Sequence, residues 1–263
     1  MRRGGTALIT GASSGIGLEL ARLFARDGYD LVLVARRGDR LEQLKGELER
    51  WHGIRVQATL ADLADPAAPA EVVRRLGDAG LVVDVLVNNA GSGMAGPLAT
   101  TDTETIRGML RVNVEALTQL TRLLLPGMLE RRRGRILNVA STAGFVPGPL
   151  MAVYYASKAY VISFSEALAE ELRGSGVTVT VLCPGPTRTE FQTVARMDSA
   201  RLFRLPGVMD AEPVARAAYA GLMRGRRMVV PGLMNRALPF VVRFSPRGMV
   251  ARVSRFLQEQ VRG

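Results

Sequence analysis

The chain has 263 residues, 48% of them hydrophobic, which is enough for the core of one large α/β domain or two small ones. Single copies of cysteine (Cys183) and histidine (His52) exclude an internal disulfide and a cysteine- or histidine-based metal cluster, so no metal site is expected. The net charge of +11 fits an anionic partner, but it fits an arginine-rich composition equally well. No nucleic-acid reading motif accompanies it, and no nucleic-acid partner is expected.

Short β-branched or aliphatic runs alternate with longer amphipathic segments along the whole chain. This rhythm is typical of βαβ crossovers and a parallel sheet. No repeat, linker or change of composition divides the chain. We therefore predict an α/β fold over residues 1–263, a single Rossmann-type domain whose doubly wound parallel sheet of about seven strands has helices on both faces. The predicted strands are TALIT, LVLVA, IRVQA, VDVLV, GRILNVA, VTVTVL and RRMVVP.

The first predicted strand is preceded by two arginines, a feature that also occurs in secretion signals. Gly11 interrupts the apolar stretch, so we interpret it as a strand of the mature fold. The longest apolar run near the C-terminus, ALPFVV, is too short to cross a bilayer. The expected location is the cytoplasm, with peripheral membrane contact as an alternative.

The stretch TGASSGIG, residues 10–17, directly follows the first predicted strand and opens a helix. Its glycines permit a tight turn and let backbone N–H groups approach an anion, which the helix N-terminus also attracts. The spacing departs from G-x-G-x-x-G, but the strand and helix around it favour a dinucleotide pyrophosphate site over a purely structural turn.

The second predicted strand ends in Arg36 and Arg37, where a site for NAD usually carries an acidic residue. Arginine pairs well with a 2′-phosphate, so NADP(H) is the predicted cofactor. The alternative is that both arginines are solvated and that Asp39 only caps the next helix.

Two tyrosines precede a lysine in YYASK, residues 154–158. On a helix, Tyr154 and Lys158 share a face because they are four residues apart. Tyr155 is three residues from the lysine, so the spacing favours Tyr154 without excluding its neighbour.

With TGASSGIG, NNAG at residues 88–91, Asn113, Ser141 and YYASK in this order, the chain resembles the short-chain dehydrogenase/reductase superfamily over nearly its whole length. Its extended motifs look like those of the bacterial DltE-like NADP-dependent oxidoreductases. The family pattern selects Tyr154 as the general acid/base, with Lys158 to stabilise the phenolate and hold the nicotinamide ribose. Ser141 would bind the substrate oxygen, and Asn113 would order a proton-relaying water.

The resemblance implies further cofactor contacts, of which Asp62 would lie near the adenine and PGPTRT, residues 184–189, near the nicotinamide. The complete set of expected cofactor residues is Gly11, Ser13, Ser14, Gly15, Ile16, Gly17, Arg36, Arg37, Asp62, Leu63, Asn89, Ala90, Gly91, Tyr154, Lys158, Pro184, Gly185, Thr187 and Thr189.

Residues 184–212 lack clear periodicity and follow the sixth strand, where an open α/β sheet binds its ligands, so they are a predicted substrate lid. Large apolar residues here and near the motifs suggest an apolar substrate, although packing of the lid onto the domain explains them equally well. The candidate pocket residues are Met94, Ser141, Phe145, Val146, Met151, Phe191, Met197, Phe203 and Met209.

Residues 232–263 form a basic amphipathic extension with three alternative roles: contact with an anionic membrane, cover for the lid, or pairing of subunits. Pro246 and Gly248 would interrupt any long helix there.

The leading hypothesis is an NADP(H)-dependent reductase that acts on the carbonyl of a hydrophobic acyl, steroid-like or aromatic ketone or aldehyde. The alternatives are a cofactor-binding sensor or scaffold without turnover, and an enzyme that works as an alcohol dehydrogenase. A homodimer or homotetramer is expected from the resemblance.

Overall fold

The computed structural model describes residues 4–197, 200–204 and 207–259. A seven-stranded, all-parallel sheet has the order β3-β2-β1-β4-β5-β6-β9, which confirms the predicted Rossmann-type doubly wound fold. All seven predicted runs contribute to it. The strands are β1 (Thr6–Thr10), β2 (Asp30–Ala35), β3 (Val56–Leu60), β4 (Val83–Asn88), β5 (Gly134–Val139), β6 (Val177–Leu182) and β9 (Met228–Val229).

Helices cover both faces of the sheet, and two-residue strands β7 (Thr187–Arg188) and β8 (Met209–Asp210) form a small separate ladder. The helices are α1 (Gly15–Arg26), α2 (Gly38–His52), α3 (Ala68–Asp78), α4 (Thr103–Leu110), α5 (Leu117–Glu130), α6 (Ala152–Glu171), α7 (Phe191–Val194), α8 (Ala211–Met223), α9 (Leu233–Arg243) and α10 (Arg247–Gln258).

Strand β1 illustrates how the sheet is buried on both faces. Ala7 and Ile9 join one apolar cluster, with α1, α2 and α8, while Leu8 joins another, with α3 and α5. Successive strand residues point to opposite faces, so a strand with both faces covered must be apolar throughout. This explains why the runs lack the alternating pattern of a half-exposed strand.

The structure adds helices that the sequence pattern did not indicate. Helix α4 leads into a π-helical turn, Arg111–Ala116, before α5, and Thr142–Phe145 forms a 3₁₀ turn. Helix α6 is 20 residues long and includes both tyrosines of YYASK within its first turn. Among the described residues, no helix combines the length and apolar character needed to cross a bilayer.

Candidate active site

A cavity of about 890 Å³ opens along the carboxyl ends of the strands. One end is lined by the phosphate loop between β1 and α1, and the other by the predicted lid and by helices α9 and α10. Ligand pockets of proteins range over roughly 300–1,000 Å³, so this cavity is large. Its two contrasting ends suit a polar cofactor beside an apolar substrate.

The phosphate loop has the backbone that its glycines suggested. Gly11 and Gly15 have φ angles of +65° and +56°, in the left-handed region that favours glycine. A Cβ at Gly17 would lie 2.3 Å from the Gly11 carbonyl oxygen, so this glycine serves close packing and does not line the cavity. Gly11, Ser13, Ser14, Gly15 and Ile16 do line it.

The NNAG motif has two functions that the sequence did not separate. The Asn89 amide donates to the carbonyl oxygens of Thr10 (2.9 Å) and Gly11 (3.2 Å), which fixes the phosphate loop to the end of β4. Asn88 points into the core and donates to Asn138. Because buried amides need partners, these bonds hold β1, β4 and β5 in register behind the cavity.

Arg37 lines the cationic part of the cavity near β2, and Arg40 joins it through a shared ion-pair partner, Glu190. Arg37 donates to the hydroxyls of Ser13 (3.0 Å) and Ser14 (2.9 Å), and to one carboxylate oxygen of Glu190 (2.6 Å). Arg40 donates to the other Glu190 oxygen (2.5 Å), and the two guanidinium groups lower the pKa of Glu190 to about 2. Arg36 lines the cavity as an exposed side chain.

This donor set fits a phosphate group. Two guanidinium groups and two hydroxyls converge where one carboxylate already binds, and arginine pairs with phosphate through the same parallel N–H donors. The sequence analysis missed Arg40 and Glu190. Arg40 is three residues after Arg37 on the first turn of α2, a spacing that brings side chains together, whereas Glu190 is distant in sequence and carried no such signal.

The Tyr154 phenol lies in the cavity and hydrogen-bonds the side chain of Ser141. Burial raises the pKa of Tyr154 above its ordinary value, and the bond from Ser141 only partly offsets this effect. Tyr154 is therefore a protonated phenol at neutral pH, in the form that donates a proton.

Lys158 is 5% exposed, and its ammonium donates to the Val139 carbonyl oxygen at 2.9 Å. Burial lowers the pKa of Lys158 to about 8. Its nitrogen lies 5.8 Å from the centroid of the Tyr154 ring. An ammonium has three protons, and in the described part of the chain only the Val139 carbonyl accepts one. The remaining donors fit the hydroxyls of a ribose.

Tyr155, the other tyrosine of the motif, is 8% exposed and accepts a hydrogen bond from the Gln258 amide on α10. Gln258 is 5% exposed, lines the cavity, and has no partner for its Oε1 among the described residues. Neighbouring tyrosines on α6 thus serve different elements: Tyr154 faces Ser141, and Tyr155 anchors the C-terminal helix. No sequence pattern indicated Gln258, because its role depends on how α10 folds back.

Asn113 lies in the π-helical turn and is 1% exposed. Its amide donates to the Ser92 carbonyl (2.9 Å) and to the Ser157 hydroxyl (3.0 Å), while its oxygen accepts from the Ser92 amide (2.8 Å). The side chain therefore connects the loop after β4 to α6 and does not line the cavity. Its part in a proton relay stays a prediction.

The other expected cofactor residues surround the cavity between its two ends. Asp62 accepts from the Ala64 amide (3.0 Å), and the Thr187 hydroxyl donates to the Gly185 carbonyl (2.9 Å). A Cβ at Gly91 would lie 3.4 Å from the Lys158 nitrogen, so glycine keeps that space open. The residues of this group that line the cavity are Asp62, Leu63, Asn89, Ala90, Gly91, Pro184, Gly185, Thr187 and Thr189.

The apolar end of the cavity includes most of the expected pocket residues. The Phe191 ring lies 5.3 Å from the Tyr154 ring, between centroids, and Val146, Met151, Met197 and Phe203 also line the cavity. Three expected residues lie elsewhere, because their side chains turn toward neighbouring elements: Met94 lines a separate cavity of about 100 Å³, Phe145 packs beside α6 and β6, and Met209 packs against the core near α8.

Residues 184–212 were the predicted lid, and in their described part α7 and the 3₁₀ turn Arg201–Arg204 line the cavity. Their action as a lid stays a prediction. Residues 198, 199, 205 and 206 of this stretch lie outside the described residues. Helices α9 and α10 add Leu238, Val242, Val250 and Leu257 to the cavity wall. The sequence analysis did not assign these four residues to the pocket.

Known proteins resemble this chain in both sequence and structure. A very-long-chain 3-oxoacyl-CoA reductase of Anas platyrhynchos is 36% identical over 197 residues, which cover 73% of this chain and 63% of the relative. The ketoacyl reductase HetN of Nostoc sp. is 34% identical and matches over 92% of this chain and 80% of the relative. The chain spans about half to two thirds of the length of the very-long-chain 3-oxoacyl-CoA reductases that it matches.

Among solved structures, a short-chain dehydrogenase from Sphingobium yanoikuyae in complex with NADPH superimposes with a TM-score of 0.83 at 38% identity. The superposition covers 93% of this chain and 94% of that one. A sequence model of the family described as short chain dehydrogenase matches residues 5–200, which include every motif from the phosphate loop to Lys158. The chain therefore belongs to the short-chain dehydrogenase family of oxidoreductases.

Proposed function

We propose that this protein reduces the carbonyl group of a long, apolar acyl-type substrate with NADPH. The observation that carries the proposal is a single cavity in which the Tyr154 phenol lies between a cationic end near Arg37 and an apolar end near Phe191. The names of the two curated relatives support an oxoacyl substrate. Steroid-like and aromatic carbonyls remain members of the proposed hydrophobic class.

NADPH, when bound, would supply the hydride. Ser13, Ser14, Arg37 and Arg40 offer donors for its phosphates, and Lys158 has donors for a ribose. The NADPH in the structure from Sphingobium yanoikuyae supports this choice of cofactor.

The proton for the new hydroxyl would come from the Tyr154 Oη. Its hydrogen bond with Ser141 puts two polar groups at one point of an otherwise apolar wall, where they can hold a carbonyl oxygen in line. Lys158 keeps a positive charge near the phenol, which stabilises the phenolate left behind. The raised pKa keeps Tyr154 protonated at neutral pH, which is the form that donates the proton during reduction.

The test is the oxidation of NADPH with medium- and long-chain 3-oxoacyl thioesters, a steroid ketone, an aromatic ketone and a short aldehyde. We expect kcat/KM to increase with acyl chain length, because each additional methylene buries more apolar surface. Tyr154→Phe should lower kcat by about 100-fold or more, the usual contribution of a general acid.

Tyr155→Phe is the matched control, since it removes the same hydroxyl one residue away, and it should lower kcat by less than about tenfold. Equal loss in both variants would contradict the assignment of Tyr154. Tight NADPH binding without turnover of any carbonyl would favour the sensor reading, and turnover only with alcohols and NADP⁺ would favour an alcohol dehydrogenase.

A homodimer or homotetramer is also part of the proposal. The family resemblance suggests that subunits pack through the helices that carry Asn113 and Tyr154. Leu123 on α5, which continues the helical segment of Asn113, and Tyr160 on α6 are exposed apolar side chains there. Light scattering coupled to gel filtration would measure the mass, and a monomer at micromolar concentration would contradict this part.

A further inference from the structure

The two C-terminal helices present an unusual outer surface. Eight large apolar side chains are exposed in the fully described stretch from residue 233 to residue 256, and the exposed fractions of Phe240 and Phe244 reach 71% and 85%. Helix α9 has no buried residue at all. So many exposed large apolar side chains within one short stretch mark a site of contact with another phase or molecule. We call it the C-terminal surface; its apolar members are Leu233, Met234, Phe240, Val241, Phe244, Met249, Val253 and Phe256.

The charge of the same stretch has one sign. Residues 233–258 contain five arginines and no aspartate or glutamate. Arg243, Arg247 and Arg252 are exposed and have no ion-pair partner in the described part of the chain. Most other exposed arginines of α1 to α3 pair with carboxylates, as Arg74 does with Glu71 and Asp78. Unpaired cations beside exposed apolar rings are the composition that anionic lipid interfaces attract.

The C-terminal surface is continuous with the cavity. Val241, Met249 and Val253 are 59%, 52% and 53% exposed and also line the cavity, so they stand at its mouth. Leu238, Val242 and Leu257 continue the apolar wall inward. An acyl chain could therefore pass from this surface to Tyr154 along apolar side chains.

We propose that the C-terminal surface docks on an anionic lipid bilayer, with the mouth of the cavity toward the acyl chains. A second copy of this chain fits less well, because a two-fold contact would bring the two sets of arginines together without acids between them. The short helices α9 and α10 and the break between them at Pro246 suit helices that lie in the interface plane. The lipid contact stands independently of the proposed reductase activity, whereas the entry route rests on it.

The experiment is sedimentation with vesicles of phosphatidylcholine alone and of phosphatidylcholine with phosphatidylserine, at low and at high salt. We expect binding to the anionic vesicles and weakening by salt, since ions screen the attraction. The triple variant Arg243→Gln, Arg247→Gln, Arg252→Gln should bind about 100-fold more weakly, at roughly fivefold for each arginine. Phe240→Ser with Phe244→Ser should lower binding at least about tenfold by removing the buried rings.

Matched controls remove the same groups elsewhere. Arg50→Gln, Arg224→Gln and Arg226→Gln change the net charge equally, and Trp51→Ser removes an exposed ring on α2; both variants should bind like the original protein. Thermal melting checks that each variant folds. NADPH oxidation with a short soluble carbonyl checks activity separately, because Phe240 and Phe244 do not line the cavity.

Three results would overturn the proposal: no binding to anionic vesicles, equal binding by the arginine variant and its control, or a self-associated form that is lost in the phenylalanine variant without any vesicle binding. Vesicle binding without carbonyl turnover would leave the docking surface intact and count against the proposed reductase instead.

Discussion

At the scale of single residues, the site depends on how burial changes the acidity of a few side chains. Burial disfavours the charged form of a side chain. It therefore raises the pKa of Tyr154, whose charged form is the phenolate, and lowers the pKa of Lys158, whose charged form is the ammonium. The Ser141 hydroxyl is the partner that acts against this trend at Tyr154. The reactive pair is thus a neutral phenol beside an ammonium that is close to losing its proton.

Cofactor affinity should decrease as the pH rises through about 8, because Lys158 loses there the charge and the proton with which it would bind a ribose hydroxyl. Stability should change in the opposite direction. Between about 8 and the ordinary 10.5 the unfolded chain binds the proton that folded Lys158 has lost, so the free energy of unfolding rises with pH. Fluorescence titration of NADPH and urea unfolding between pH 7 and about 10 measure the two trends.

Lys158→Met is the control for both trends, since it cannot titrate and should remove the pH dependence that Lys158 causes. Persistence of the full affinity loss in this variant would show that another group is responsible.

Glu190→Gln should strengthen NADPH binding about two- to fivefold without changing NADH binding, because the carboxylate no longer competes for Arg37 and Arg40. Equilibrium titration with both cofactors measures this preference. Glu71→Gln is a matched control, since Glu71 also bridges two arginines and its pKa is also lowered to about 2, but on the distant helix α3. Weaker NADPH binding in Glu190→Gln would instead mean that the ion pair holds the cofactor.

At the scale of elements, the start of α1 and the π-helical turn before α5 are where the backbone is shaped for the site. A normal α-helix would carry Asn113 in a different register, and the turn brings its amide to Ser92 and Ser157. The first turn of α6 then directs Tyr154 into the cavity and Tyr155 toward α10.

Gly17→Ala should destabilise the protein by about 2–4 kcal/mol, because its Cβ would collide with the Gly11 carbonyl and the Asn89 amide. Chemical unfolding measures this loss, and NADPH binding should weaken as the phosphate loop shifts. Gly46→Ala, in the interior of α2 with open space around the new Cβ, should stabilise by about 0.5–1 kcal/mol. Similar effects in both variants would contradict the packing role of Gly17.

At the scale of the whole molecule, the cavity is built from segments far apart in the chain: the phosphate loop, the ends of β4 and β5, α6, and the last two helices. A ligand that contacts all of these segments stabilises only the folded state, because the unfolded chain does not bring the segments together. NADPH at about 100 times its dissociation constant should add about 2.7 kcal/mol to the free energy of unfolding.

For a chain of this size, that increment corresponds to a rise in Tm of roughly 5–10 °C. A thermal shift assay with NADPH and NADH at equal concentration measures it, and NADH should give the smaller rise because it lacks the 2′-phosphate that Arg37 and Arg40 would bind. Equal shifts would contradict the cofactor preference drawn from these arginines.

The sheet and the family could both be predicted from the order of residues along the chain. Seven apolar runs become the seven strands because a sheet buried on both faces requires continuous apolar residues, and the ordered motifs identify the short-chain dehydrogenases. The finer likeness to the DltE-like reductases stays a prediction. The local motifs could be recognised in the sequence because they depend on backbone geometry alone. Gly11 adopts a positive φ angle, and a spacing of four residues puts Tyr154 and Lys158 on one face of a helix.

Which side chains meet could be seen only in the folded chain. Glu190 reaches Arg37 from 153 residues away, and Gln258 reaches Tyr155 from 103 residues away. In the folded chain Met94 and Phe145 also point away from the cavity, and α9 and α10 lie at the mouth of the cavity. Such contacts depend on how elements pack and on which way each side chain points, and neither is encoded in the spacing of residues along one segment.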